Sequence, residues 1–139
     1  MAEEKTTKVI TETIVVEEGE NLFLDDSYLI ATDDKFGVQI NSYGSLTVDG
    51  TTFEGNECAI TTEPHIYSCT VSNAKFYDNE SAIWREYSAA GGDLTVTNSE
   101  FVGRENDSSS GIYCRFNTES KNSKIIIEDS SFFNWRCSR

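Results

Sequence analysis

Acidic residues are the side chains in this sequence whose types and spacing could do chemistry. They occur in close pairs at four places: Asp25 and Asp26, Asp33 and Asp34, Asp78 and Glu80, and Glu128 and Asp129. Several carboxylates at close range could hold calcium, and two at a fixed separation could cleave a glycosidic bond. None of the pairs lies in an EF-hand loop or a regular aspartate repeat. We therefore favour a solvated acidic surface with no cofactor, and calcium stays an open alternative.

The single histidine and the four cysteines suggest no further reaction centre. His65 lies in a segment expected to be a loop, and no cysteine pair has the CxxC spacing of a zinc or redox site. Cys58, Cys69 and Cys114 fall in or near the positions of inward apolar residues, so we expect buried free thiols and a reducing compartment. Cys137 lies near the end of the chain, outside this pattern.

Charge and hydropathy exclude some classes of partner. The formal net charge is −13 at pH 7, which opposes nucleic acid binding because phosphates need a basic surface. We find no apolar stretch long enough for a transmembrane helix and no secretory signal at the start. If Met1 is the native start, we expect an intracellular protein of the cytoplasm or cytoskeleton; a fragment would instead fit the cell surface or exterior.

A short phrase occurs four times along the chain and predicts its fold. The copies read SLTVDGTTF, SCTVSNAKF, DLTVTNSEF and SKIIIEDSSF, and they end at Phe53, Phe76, Phe101 and Phe132. Self-similarity at intervals of roughly 20 to 50 residues is typical of solenoids. Stacked coils are therefore expected rather than a compact domain with a single core.

Each copy has the pattern of a strand that ends in a sharp bend. Apolar residues alternate with mostly polar ones, as in Leu46 and Val48, which is the period of a β-strand. Two positions later comes a residue type that tolerates a left-handed backbone, namely Gly50, Asn73, Asn98 or Asp129. A shorter apolar strand precedes each copy, at residues 36–40, 58–60, 82–84 and 111–114.

The N-terminal segment repeats the pattern weakly. Ile14 and Val16 match Val38 and Ile40, and Leu29 falls at the position of the repeated Phe. We predict an all-β, single-stranded parallel β-helix of about five coils, in which strands of successive coils lie about 4.8 Å apart. The single domain, 1–139, would comprise an N-terminal coil and cap at 1–35, repeat coils at 36–135, and a tail at 136–139.

Two phrases carry a family resemblance. FEGN at Phe53–Asn56 and FYDN at Phe76–Asn79 are each followed by an element of small residues and isoleucine, at 57–60 and 81–83. They resemble the paired FxxN and GGAI motifs of the polymorphic outer membrane protein repeats, over roughly residues 36–135. The resemblance implies a right-handed, pectin-lyase-like β-helix of a kind found in bacterial autotransporter adhesins and expanded in protists.

The repeated aromatic and amide residues are expected to be structural. Phe53, Phe76, Phe101 and Phe132 should form a buried aromatic stack, because periodic apolar residues belong to the core. Asn56 and Asn79, with Asn106 as a third candidate, should satisfy backbone groups at one corner by bonding between coils.

The segment after Phe132 is the first candidate interface. It contains Phe133, Trp135, Arg136 and Arg139, which are the aromatic and arginine types enriched in interface cores. The last coil of a solenoid exposes strand edges and core unless it is capped, so this segment could dock a partner. Equally, Trp135 could fold under the last coil as a plug.

The loops between the two strands of each coil are the second candidate interface. The gap lengthens steadily, through Ile40–Leu46, Ile60–Cys69, Ile83–Leu94 and Ile112–Ile125. The variable face of a solenoid is often its binding face, although neutral variation in a tolerant loop explains the lengths equally well. Trp84, Tyr87 and Tyr113 are aromatic residues nearby that could stack on a glycan or on each other.

We interpret the protein as a non-enzymatic structural or interaction module. It would dock into a larger protein assembly, for example a cytoskeletal or ciliary one, through its C-terminal coil or its variable loops. The first alternative is a fragment of a cell-surface adhesin that binds host protein or glycan. The second is a polysaccharide lyase or hydrolase, which we disfavour because five coils are short for such a groove and the acids lack a catalytic arrangement.

Overall fold

The computed structural model describes residues 8–30, 36–41, 43–85, 92–103, 110–114 and 123–133. The regular elements in this part of the chain are all β-strands: Lys8–Ile10 (β1), Ile14–Val16 (β2), Asn21–Asp25 (β3), Ser27–Ile30 (β4), Phe36–Ile40 (β5), Ser45–Asp49 (β6), Thr52–Glu54 (β7), Cys58–Thr62 (β8), Ser68–Ser72 (β9), Lys75–Asn79 (β10), Ser81–Arg85 (β11), Asp93–Thr97 (β12), Glu100–Gly103 (β13), Ser110–Cys114 (β14), Ile125–Glu128 (β15) and Ser131–Phe133 (β16).

Successive strands along the chain belong to three parallel sheets in a fixed, repeating order. Sheet A contains β1, β4, β7, β10, β13 and β16; sheet B contains β2, β5, β8, β11 and β14; sheet C contains β3, β6, β9, β12 and β15. Each coil therefore supplies one strand to each sheet, which confirms the predicted parallel β-helix. The sequence suggested two strands and a bend per coil; the structure adds a third strand, in sheet A, which carries the repeated Phe.

The weak N-terminal match is a coil of the same kind as the others. Ile14 pairs with Val38 and Val16 with Ile40 in sheet B. In sheet A, Leu29 lies directly beside Phe53, as the sequence alignment of the repeats predicted.

The core lies between the three sheets and is built from columns of inward side chains. In sheet A the rings of Phe53, Phe76 and Phe101 are buried and stack almost parallel, with centroids 4.8 and 4.5 Å apart. Gly37 of sheet B lies close to both the next strand and the first of these rings. A Cβ atom on Gly37 would lie 2.6 Å from the carbonyl oxygen of Ala59 and 3.2 Å from the Phe53 ring, so the close approach of the β8 backbone requires glycine there.

The bends between sheets C and A are tight and left-handed, as predicted. The φ angles are +79° at Gly50, +52° at Asn73, +47° at Asn98 and +50° at Asp129. The Asn98 amide donates to the Asn73 side-chain oxygen at 2.6 Å, and the Asn73 amide donates to the Asp49 carboxylate at 2.8 Å. An exposed row of side-chain hydrogen bonds thus links the bends of successive coils.

A second row of hydrogen bonds runs inside these bends and was not predicted. The Ser99 hydroxyl accepts from the Ala74 backbone N–H at 3.2 Å and donates to the Thr97 carbonyl at 3.0 Å. One coil later, the Ser130 hydroxyl accepts from the Ser99 N–H at 3.2 Å. Serine at the position after the bend therefore satisfies backbone donors that the sheets leave unpaired.

The predicted asparagine ladder forms at the corner between sheets A and B. The side-chain oxygen of Asn79 accepts from the backbone and the side-chain N–H of Asn56, at 2.9 and 3.1 Å. The Asn79 amide donates to the Phe53 carbonyl at 3.0 Å, and both asparagines are buried. Asn106 lies outside the described residues.

The connections between strands show that insertions enter at two corners. Between sheets B and C the connections lengthen along the chain, as predicted: 17–20, 41–44, 63–67, 86–92 and 115–124. Those between sheets A and B also vary, through 11–13, 31–35, 55–57, residue 80 and 104–109. The bend between sheets C and A keeps one length in successive coils and contains the hydrogen bonds described above.

Candidate docking surface at the terminal coil

The last described coil, β14 to β16, repeats the core pattern, but its inward residues are partly exposed. Ile125 and Ile127 continue the columns of Leu94 and Val96, and Phe132 stacks on Phe101 with ring centroids 4.6 Å apart. Leu94, Val96 and Phe101 are buried, whereas Ile127 is 43% exposed and Phe132 is 42% exposed. The expectation that Phe132 is buried was therefore wrong; among the described residues, Phe101 is the only ring that stacks on it.

Together these inward residues form what we call the terminal face, defined as Ile112, Ile125, Ile127 and Phe132. Ile112 and Ile125 are half-buried and pack against the core cluster, so the face is continuous with the interior. Inward residues of the kind that a further coil would cover are thus partly exposed at this end of the described stack.

Two outward residues enlarge the apolar surface at the rim of this face. Phe133 pairs with Val102 on the outer side of sheet A and is 55% exposed. Ile126 is likewise exposed on the outer side of sheet C, beside Thr95. Aromatic and aliphatic residues rarely gather on a free surface in this way, and contiguous apolar patches commonly mark interaction sites.

Strand edges accompany the apolar surface. β14, β15 and β16 each lie at the end of their sheet, and no other described strand pairs with their outer edges. Such an edge presents backbone donors and acceptors in the spacing that another extended segment requires. The terminal face therefore combines an apolar surface with a template for main-chain hydrogen bonds.

The remaining residues predicted for the interface divide into two groups. Trp135, Arg136, Arg139 and Tyr87 lie outside the described residues. Trp84 lies on the outer side of sheet B and stacks on Tyr113, with ring centroids 4.0 Å apart. Because Trp84 is half-buried and pairs with a neighbouring strand, it forms a cross-strand ladder, one of the two arrangements that the sequence left open.

The described cysteines are free, and two of them are core residues. Burial raises the pKa of both the Cys58 and the Cys69 thiol to about 12, so both are protonated at neutral pH and are poor nucleophiles. Burial also raises the pKa of Cys114, which is half-buried. The predicted packing role is confirmed for Cys58 and Cys69, and Cys137 lies outside the described residues.

Arg85 is a buried residue that sequence reasoning missed. It occupies an inward position of sheet B, between Thr62 of β8 and Cys114 of β14. Its guanidinium donates to the Gly92 carbonyl, beyond the loop that leaves β11, and burial lowers its pKa. The available signal was its spacing, since it follows the inward Ile83 by two positions in a strand.

No protein-family model, curated protein or solved structure matches the chain. Within the described residues, no group of three or more His, Cys, Asp or Glu side chains could hold a metal ion. The described part of the chain has no helix with the length and hydropathy needed to cross a membrane.

Proposed function

We propose that the protein is a non-enzymatic interaction module that docks into a larger protein assembly through its terminal face. The exposure of Ile127 and Phe132 supports this proposal most directly, because their counterparts in the preceding coil are fully buried. Exposed core of this kind is stabilised when another polypeptide covers it.

The occupant that best fits is an extended apolar segment of a partner protein. The outer edges of β15 and β16 provide main-chain donors and acceptors, and the terminal face beside them takes alternate side chains of an added strand. Addition of a strand to a sheet edge is a common mode of recognition, with affinity from the backbone and specificity from side-chain pockets. The partner would thus continue the solenoid by pairing with its last coil.

Site-specific photocrosslinking in cells tests this proposal. A photoreactive phenylalanine analogue replaces Phe133, at the rim of the terminal face, in the tagged full-length protein. The matched control carries the analogue at Phe23, an exposed residue of sheet C in the first coil. We expect one protein to crosslink stoichiometrically at position 133 and not at position 23.

Substitution then tests whether the crosslinked partner depends on the face. Ile127→Ser should release that partner, while circular dichroism shows the fold retained. A crosslink to a second copy of this chain would replace the proposed assembly with self-association. Equal crosslinking at positions 23 and 133, or recovery of the chain only within a longer secreted polypeptide, would contradict the proposal and favour an adhesin.

A further inference from the structure

A second surface lies at the corner between sheets B and C, in the second and third coils. It contains three rings, Tyr43, His65 and Tyr67, which we call the aromatic corner. Tyr43 stacks on His65 with centroids 6.4 Å apart and an interplanar angle of 17°, and it lies 5.7 Å from Tyr67 in a tilted arrangement. Tyr43 is 42% exposed and Tyr67 is 54% exposed, so the rings are accessible.

The backbone holds this corner in a fixed conformation. The Tyr43 N–H donates to the His65 carbonyl at 3.2 Å, and the Gly19 N–H donates to the Tyr43 carbonyl at 3.0 Å. Tyr43 and His65 both have left-handed φ angles, +64° and +69°, which are uncommon for bulky side chains. Because the loops bond to one another between coils, the rings are positioned before any ligand arrives.

Carboxylates surround a groove at the same corner. Glu17, Glu18, Asn41 and Glu63 line a cavity of about 320 Å³, and the Asn41 amide donates to the Glu17 carboxylate at 3.1 Å. The three loop sequences 17–20, 41–44 and 63–67 contain no lysine or arginine. The aromatic corner therefore lies on loops whose formal charges are all negative.

We propose that the aromatic corner binds a basic segment of a protein, with a lysine or arginine side chain over a tyrosine ring. The ring face attracts a cation, and the neighbouring carboxylates complement its charge and that of adjacent basic residues. This surface is distinct from the terminal face, so the module would hold two partners or two parts of one partner. The proposal does not depend on the docking function of the last coil.

Binding of a defined peptide to the purified full-length chain tests the inference. The probe is a fluorescent ten-residue peptide of alternating lysine and glycine, and the comparison peptide has glutamate in place of lysine. We expect the lysine peptide to bind and the glutamate peptide not to bind. Tyr67→Ser should weaken the lysine peptide about tenfold, because it removes a ring without changing the net charge.

Matched variants separate a specific site from the attraction of an acidic protein for any cation. Glu63→Gln should also weaken binding several-fold, while Asp25→Asn, which removes an exposed charge outside these loops, should leave it nearly unchanged. Phe23→Ser is the control for loss of an exposed ring. Equal effects of Glu63→Gln and Asp25→Asn, no effect of Tyr67→Ser, or tighter binding of a neutral oligosaccharide than of the peptide would overturn the proposal.

Discussion

The coil that contains Val96 and Phe101 and the coil that contains Ile127 and Phe132 share one sequence pattern but differ in burial. The former pair is completely buried, whereas Ile127 and Phe132 are each more than two fifths exposed. The strands are in register and the rings stack, so the difference does not come from local conformation. Described coils lie on both sides of Val96 and Phe101, whereas a described coil lies on only one side of Ile127 and Phe132.

The burial of a side chain in a repeat protein depends on two things: its inward orientation and the presence of a neighbouring coil. Residue type and spacing determine that Ile127 faces inward, but burial of that residue depends on its neighbour along the solenoid axis. An apolar side chain without such a neighbour contributes less to stability, and its exposed part is available for binding. Matched substitutions in the two coils should therefore differ in the free energy of unfolding.

The largest difference between the two coils in the free energy of unfolding is expected when a charge is introduced at an inward position. Val96→Asp should lower the free energy of unfolding by about 4 kcal/mol or more, because an unpaired carboxylate would be enclosed in the core. Ile127→Asp should cost about 1 kcal/mol, since water reaches that position. Urea denaturation followed by circular dichroism measures both, and similar losses in the two variants would show that the terminal face is covered in solution.

Removal of a phenylalanine ring should give the next largest difference in the free energy of unfolding. Phe76 lies between two rings and Phe132 touches only one of those described, Phe101. Phe76→Ala should cost about 3–5 kcal/mol because it opens a cavity in the stack. Phe132→Ala should cost about 1–2 kcal/mol, because roughly half of its burial is already missing. Denaturant midpoints compare the two, and equal losses would mean that the stack continues beyond Phe132.

Alkaline pH should act through the two buried thiols of the middle coil, Cys58 and Cys69, of which Cys69 is completely buried. Burial raises the pKa of Cys69 from 9.0 to about 12, so the stability it contributes is complete below pH 9. As the pH rises from 9 to 12, the unfolded chain loses its thiol proton first, and stability falls by about 1.4 kcal/mol per pH unit. Cys69→Val should remove that part of the pH dependence, as measured by urea denaturation at a series of pH values.

A thiol in the last coil provides the matched control for this pH dependence. Ile125 occupies the same column as Cys69 and is half-buried, so Ile125→Cys introduces a thiol whose pKa should rise less. In the Cys69→Val background, the thiol at position 125 should restore only a weak dependence of stability on pH. A slope as steep as that of the unmodified protein would indicate that position 125 is fully enclosed.

The coils were predictable from sequence because three patterns recur in them. Alternating apolar residues predicted which side chains face inward, the residue types at the bends predicted a left-handed backbone there, and the FxxN phrases predicted the hydrogen-bonded Asn56 and Asn79. The exposure of Phe132 was not predictable, because it depends on a neighbouring coil and not on the pattern of its own. Arg85 was missed because a charged residue is rarely buried, although its spacing from Ile83 places it inward.

The aromatic corner was also beyond sequence reasoning, for a different physical reason. Tyr43, His65 and Tyr67 lie in connections of unequal length, so their alignment depends on hydrogen bonds between loops and not on a strand period. Loop residues without a repeat carry no register signal, and only the folded stack brings their rings together.

The smallest difference is expected in the row of serine hydroxyls inside the bends. Ser99 and Ser130 make equivalent bonds, since each accepts from a backbone N–H of the preceding coil and donates to a carbonyl two residues before it. Ser99 is buried, so Ser99→Ala should cost about 1–2 kcal/mol by leaving the Ala74 N–H without a partner away from water. Ser130 is half-buried, and Ser130→Ala should cost about 0.5 kcal/mol because water can replace the hydroxyl.

Amide hydrogen exchange offers a residue-level test of this pair. The Ala74 amide should lose protection strongly in the Ser99→Ala variant, and the Ser99 amide should lose it only weakly in the Ser130→Ala variant. Equal loss of protection would mean that solvent access does not distinguish these bends, and that the open end of the core is confined to the columns of Ile127 and Phe132.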